Sequence, residues 1–211
     1  MHRRHSIIVS NPSADSFSMS IAQRYAKVVG KAGDTAVIRD LYRLGFDPVL
    51  SRGEIEGREP EDVTQEKTAL AGTDVFVLVY PIWFGTPPAM LKGYIERVLA
   101  AGYTYREMKL HRPQPMLENK LLISFTTSGS LRVWLEEKGV MMSLQNLFDH
   151  YLADVFGLRA TKHYHFDGVN AEAKAWEFGM HLKDVEEAAR NVLTMIDASR
   201  PRELAGVQAT R

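Results

Sequence analysis

Apolar and polar positions switch between a two-residue and a helical period along the chain, and those switches mark out its elements. Ser6 to Ser10 is a short apolar run ending in Asn11-Pro12-Ser13, a strand leading into a turn. Ser16 to Val29 places Phe17, Ile21, Tyr25 and Val28 or Val29 at helical spacing, and Gly30 and Gly33 close that helix. Thr35 to Ile38 predicts a second strand running into Asp40-Leu41-Tyr42. Residues 45–60, punctuated by Gly45, Pro48, Gly53, Gly57 and Pro60, break the pattern and are expected to form a loop. Pro60 then suits the first turn of a helix running towards Ala71. Asp74 to Tyr80 is dense in β-branched and aromatic residues, as a strand covered on both faces requires. A helix over Ala89 to Leu99, a strand over Lys120 to Phe125, a helix over Leu144 to Phe156, a strand over Thr161 to Phe166 and a long helix over Ala171 to Ile196 complete the series. This alternation predicts an α/β fold, a five-stranded parallel sheet between two helical layers. Residues 1–198 are expected to form one domain, and Ser199 to Arg211, without period, a mobile C-terminal tail.

Composition narrows the classes of function. The 211 residues are 45% apolar and 25% charged, enough for a sizeable core. Lys+Arg and Asp+Glu balance at 26 each, so no net field draws in nucleic acid or anionic lipid. Without cysteine there are no disulfides, thiolate metal sites or cysteine nucleophiles, which suits a reducing compartment. The basic start, Met1 to His5, precedes only a short apolar run, and Val75 to Phe84 falls far short of the roughly 20 residues of a membrane span. A cytoplasmic protein with no membrane insertion is expected.

In a doubly wound sheet, ligands bind beyond the carboxyl ends of the strands, where the strand order reverses. The loop after the first strand, Asn11 to Ser18, sets short polar side chains at a helix start, suited to a phosphate or simply to capping. The loop after the third, Tyr80-Pro81-Ile82-Trp83-Phe84-Gly85-Thr86-Pro87-Pro88, offers two aromatic rings as a flat apolar wall, or as plugs for the sheet end. The loop after the fourth, Phe125-Thr126-Thr127-Ser128-Gly129-Ser130, lets a planar ligand approach the backbone. Together they suit a flat, phosphorylated ligand such as FMN. No G-x-G-x-x-G, P-loop or G-x-S-x-G pattern occurs. His163 and His165 share one strand face but have no third ligand spaced nearby, so no metal is expected.

The segment Pro81 to Val98 resembles the hallmark segment of the flavodoxin-like NAD(P)H:quinone reductases. So, in matching order, do Asp15-Ser16-Phe17-Ser18, Asp40-Leu41-Tyr42 with Phe46-Asp47-Pro48, Gly102-Tyr103-Thr104-Tyr105, Thr126-Thr127-Ser128-Gly129 and Phe166-Asp167-Gly168-Val169. The resemblance implies a flavodoxin-like three-layer sandwich and a homodimer with the active site at its interface. Hydride would pass from NAD(P)H through the flavin to a quinone or similar electron-poor acceptor. Asn11, Ser16, Phe17 and Ser18 would hold the phosphate, Pro81, Ile82, Trp83, Phe84, Thr126, Thr127, Ser128 and Gly129 would flank the ring, and Tyr103 and Tyr105 would line the substrate mouth. The chain's length favours FMN over FAD. In the larger members a tyrosine and a histidine follow the fourth-strand loop. Here Ser128 replaces its first glycine and Leu131-Arg132-Val133-Trp134 follows, so that pair is not carried over, His150 stays unassigned and no catalytic side chain is named. An FMN-binding electron carrier or an ancillary subunit of a potassium-efflux system is the alternative.

Overall fold

The computed structural model of the chain describes residues 2–198, and the expected C-terminal tail lies outside the described residues. Strand β1 (Arg4–Val9) leads through helix α1 (Phe17–Lys31) to β2 (Thr35–Asp40). A segment carrying α2 (Arg52–Ile55) and α3 (Glu61–Leu70) then returns the chain to β3 (Val75–Pro81). Helix α4 (Ala89–Tyr94) runs into a π-helical turn (Ile95–Leu99), followed by α5 (Tyr105–Lys109) and β4 (Leu121–Thr127). Next come α6 (Arg132–Glu137), α7 (Val140–Leu144), a second π-helical turn (Gln145–His150) and α8 (Tyr151–Phe156), before β5 (Ala160–Phe166) and α9 (Ala175–Ala198).

All five strands are parallel, in the order β2-β1-β3-β4-β5. Every residue of β3 and β4 is buried, and alternate residues serve opposite cores. Val75, Val77, Val79, Leu121, Ile123 and Phe125 pack on α1 and α9 through Ile21, Tyr25, Val185 and Val192. Phe76, Leu78, Tyr80 and Leu122 pack on the other layer, through Leu70, Leu91, Tyr94, Phe148 and Phe156. The order reverses between β1 and β3, because the chain leaves β1 for one edge and later builds outward from β3 to the other.

The predicted strands and long helices are present with small shifts at their ends. Helices α5, α6 and α7 were not among the expected elements, and α2 stands within the 45–60 stretch expected as a loop. Ser51 and Glu54 cap α2 reciprocally, Ser51 Oγ accepting from Glu54 N while the Glu54 carboxylate accepts from Ser51 N. Arg97, only 5% exposed, locks the segment down. Its guanidinium donates to Glu54 (2.7 Å), Asp62 (2.8 and 3.1 Å) and the Asp47 carbonyl, and lies 5.1 Å from the Phe46 ring centroid. The anchor sits in a helix some forty residues downstream, so no local pattern could announce it.

This segment presses so closely on α4 that a Cβ at Gly93 would overlap the Pro48 carbonyl oxygen. Gly93→Ala is expected to lower stability by about 1–3 kcal/mol through overpacking. Denaturant unfolding checks this, and an unchanged midpoint would show that Pro48 yields freely.

Candidate functional site

The carboxyl ends of β1, β3 and β4 bring three loops to one edge of the sheet. In the first, Asn11 Oδ1 accepts from Ser13 N (3.0 Å) and its amide donates to Ser18 Oγ (3.2 Å). Ser16 Oγ caps α1 by accepting from Met19 N (3.2 Å). The Phe17 ring turns inward onto Phe166, Phe178 and His181, which leaves Phe17 only its backbone N–H for a ligand. Arg43 braces the loop by donating to the Pro12 carbonyl (2.5 Å). The Ser10 hydroxyl, fully buried directly before this loop, has no hydrogen-bond partner. Open N–H groups at the start of a 15-residue helix form a donor set that fits a phosphate ester.

In the second loop, Trp83 and Thr86 exchange N–H···O bonds of 3.0 Å around a two-residue turn. Both central residues, Phe84 (φ 51°) and Gly85 (φ 79°), take the left-handed region that a primed turn requires. That conformation costs a phenylalanine energy and leaves its ring fully exposed, with Trp83 41% exposed beside it. Pro81 ends β3 in the core, Ile82 packs half-buried beside it, and Ile82 N donates to Thr127 O (2.7 Å), which fastens this loop to the end of β4.

The third loop is held by β5. Ser128 N donates to Phe166 O (3.0 Å), Val169 N to Ser128 O (2.8 Å) and the Asn170 amide to Gly129 O (3.2 Å). Thr126 and Thr127 are buried, whereas Gly129 and Ser130 face solvent. Tyr103 and Tyr105 are not brought to this edge within one chain. The Tyr103 hydroxyl bonds the carbonyls of Val155 (2.6 Å) and Arg112 (2.7 Å), and its ring meets Phe156, at the opposite edge where β4 and β5 begin. Tyr105 is 71% exposed.

Beneath the third loop runs a chain of polar side chains that the sequence reading did not assemble. Ser124 Oγ donates to Asp149 Oδ1 (2.6 Å), and His163 Nδ1 lies 2.5 Å from Asp149 Oδ2. His163 Nε2 meets Thr126 Oγ1 (2.8 Å), Thr126 Oγ1 meets His165 Nδ1 (2.9 Å), and His165 Nε2 meets Ser128 Oγ (3.1 Å). Ser128 Oγ donates in turn to Ser130 O (2.7 Å). Asp149 is 1% exposed. The available signal was Ser124 and Thr126 alternating with Leu122 on one face of an apolar strand, opposite an aspartate set among Phe148 and Leu152. Among the described residues no group of three or more His, Asp or Glu could hold a metal ion, and no helix is long and apolar enough to cross a membrane.

Strand order and crevice define a doubly wound α/β protein of the flavodoxin type. The chain belongs to the family described as having a flavodoxin-like fold, whose model matches residues 3–189. It is 36% identical over 159 residues to an uncharacterized NAD(P)H oxidoreductase of Haemophilus influenzae, a match spanning 73% of this chain and 78% of that one. It is 31% identical to NAD(P)H dehydrogenase [quinone] 1 of Rattus norvegicus over 69% of this chain, and spans 58% of that longer relative. A solved NAD(P)H:quinone oxidoreductase from Methanothermobacter marburgensis superposes with a TM-score of 0.76 at 24% identity, covering 91% of this chain and 96% of that one. An FMN-dependent NADH-azoreductase from Bacillus anthracis, solved with FMN, gives 0.66 at 16% identity over 90% and 99%. The last two likenesses show the fold alone.

Burial, and then the neighbouring His163, push the His165 imidazole down to about 4. Between the usual histidine value and about 4 the unfolded chain binds a proton that the folded chain does not. The stability this gives is complete above about pH 6.5 and is lost as pH falls towards 4. Urea unfolding at pH 7 and pH 5 is expected to show lower stability at pH 5, and a smaller difference in His165→Leu. An equal difference in both proteins would contradict this assignment.

Proposed function

We propose that this protein is a flavin-dependent NAD(P)H oxidoreductase that takes FMN as its cofactor and reduces a quinone or a similarly electron-poor small molecule. The observation that carries the reading is the convergence at one sheet edge of an open helix N-terminus, an exposed Trp83–Phe84 wall and a hydroxyl-and-glycine loop. Relatives described as NAD(P)H oxidoreductases support it and leave the carrier and ancillary-subunit readings without an observation in their favour.

The backbone N–H groups of Phe17 and Ser18, with Asn11 and Ser16 beside them, would hold the phosphate. Trp83 and Phe84 would cover one side of the ring, and the backbone of Thr127, Ser128 and Gly129 would line its polar edge, with Pro81, Ile82 and Thr126 supporting from beneath. The cofactor would supply the two-electron chemistry, accepting hydride from NAD(P)H and passing it on. The chain supplies position, a dry wall and fixed donors.

The finer reading is a cytoplasmic homodimer. Exposed apolar side chains on and around α6–α8 and the second loop, among them Phe84, Leu131, Trp134, Met142, Leu147 and Tyr151, support a second copy covering that side. Tyr103 and Tyr105 would then reach a substrate mouth from the partner, since they lie away from the loops of their own chain.

An anaerobic absorbance titration tests the function. Protein mixed with FMN is expected to retain the yellow cofactor, bleach with NADPH or NADH, and regain colour with menadione. Trp83→Ala should weaken FMN binding by about 0.5–1.5 kcal/mol, the range of an aromatic stacking contact. A chain that retains no FMN, or holds it unchanged by both nicotinamides, would overturn the reading.

A further inference from the structure

The chain from Asp149 to Ser130 has a hydrogen count that its geometry fixes. Its short links are Asp149–His163, His163–Thr126, Thr126–His165, His165–Ser128 and Ser128–Ser130 O, each needing one hydrogen, and Thr126 Oγ1 also lies 3.4 Å from the Tyr164 carbonyl. A carboxylate and two neutral imidazoles leave only four, one each from His163, Thr126, His165 and Ser128. A fifth hydrogen, an added proton, would complete the row. With His163 protonated at both nitrogens, every link is satisfied and every donor points outward. Nδ1–H then faces Asp149, Nε2–H faces Thr126, Thr126 donates to His165 Nδ1, His165 Nε2–H faces Ser128, and Ser128 donates to Ser130 O.

We propose that Asp149 and His163 store one proton beneath the third loop, and that Thr126, His165 and Ser128 carry it to the sheet edge where the acceptor is reduced. The inference rests on the function proposed above and gives the Thr126 and Ser128 side chains, with Asp149, His163 and His165, a part in it. Reduction of a quinone to a hydroquinone consumes two electrons and a hydrogen from NAD(P)H, which becomes NAD(P)+, together with one proton. That proton leaves Ser128 Oγ for the acceptor oxygen. Ser128 takes a replacement from His165 Nε2, His165 Nδ1 takes one from Thr126, and Thr126 takes one from His163 Nε2. His163 is left neutral with its Nδ1–H still on Asp149, the three links between His163 and Ser128 have reversed, and the vacated Ser128–Ser130 O link marks the missing hydrogen. A proton from water re-enters at Ser128 and resets the chain.

The surroundings agree with this placement. His163 contacts a carboxylate that is itself anchored by Ser124, whereas His165 faces His163, Arg132, His181 and Asp167, and burial with its cationic neighbours keeps it neutral. From β3, Tyr80 presents a buried hydroxyl near Asp149 that burial keeps protonated. The inner end is closed from solvent by Asp149 and Ser124, so the proton's way out is through Ser128 and the exposed Gly129–Ser130 turn.

The test joins a spectrum that needs no cofactor to a kinetic split that does. In protein labelled with nitrogen-15 histidine and free of FMN, His163 at pH 7 is expected to carry protons on both nitrogens, and His165 on Nε2 alone. Asp149→Asn should leave His163 neutral at the same pH. In FMN-loaded protein, Thr126→Val, which interrupts the chain at its centre, should slow reoxidation by menadione about a hundredfold more than it slows reduction by NADPH. The solvent deuterium effect on reoxidation should change with it. A neutral His163 in the wild-type spectrum would overturn the stored proton. Equal losses in both half-reactions, or none, would overturn the relay while leaving the flavin function standing. Failure to bind FMN with the expected histidine pattern would overturn the flavin reading and the delivery together, and leave the stored proton intact.

Discussion

Every residue of strand β3 is buried, and cover on both its faces is the constraint from which the rest of the molecule follows. Val75, Val77 and Val79 call for α1 and α9 on one side, and Phe76, Leu78 and Tyr80 call for α4 and the α7–α8 segment on the other. A parallel sheet meets that demand with helical crossovers. With β1 on one flank of β3 and β4 on the other, the loops leaving β1 and β3 must part at the shared edge. The crevice between them is a consequence of burial, and the polar groups gathered there are the ones the core could not take in.

The same logic explains the two kinds of polar group near that edge. Those of the first loop keep hydrogen-bonding capacity to spare, at the open N–H groups that start α1. Those beneath the third loop are turned inward and joined to one another, because Ser124 and Thr126 lie on a β4 face that is otherwise apolar. An isolated hydroxyl or carboxylate there would be costly, and a connected row reduces that cost. The row connects the buried Asp149 side chain to the exposed Gly129–Ser130 turn.

Much of this was legible in the sequence. Strands β3 and β4 announced themselves by unbroken apolar runs, α1 and α9 by their period, and the three loops by Pro, Gly and hydroxyl residues at strand ends. What escaped notice depends on partners distant in sequence. Arg97 stabilises α2 from a helix far downstream, and α5 and α6 are too short to show a period. His163 and His165 read as an ordinary pair on a strand, since only the register of β4 against β5 sets Thr126 between them and brings Asp149 within reach. Phe17 was expected at a phosphate by its place in the loop, yet its ring belongs to the core and only its backbone faces the crevice.

A crystal structure of the chain grown with FMN tests the central claim most directly. The account predicts the phosphate on the N–H groups at the start of α1, the ring beside Trp83, and its polar edge along Thr127 to Gly129. Density for FMN at any other place, or a crevice that stays empty at saturating FMN, would contradict it.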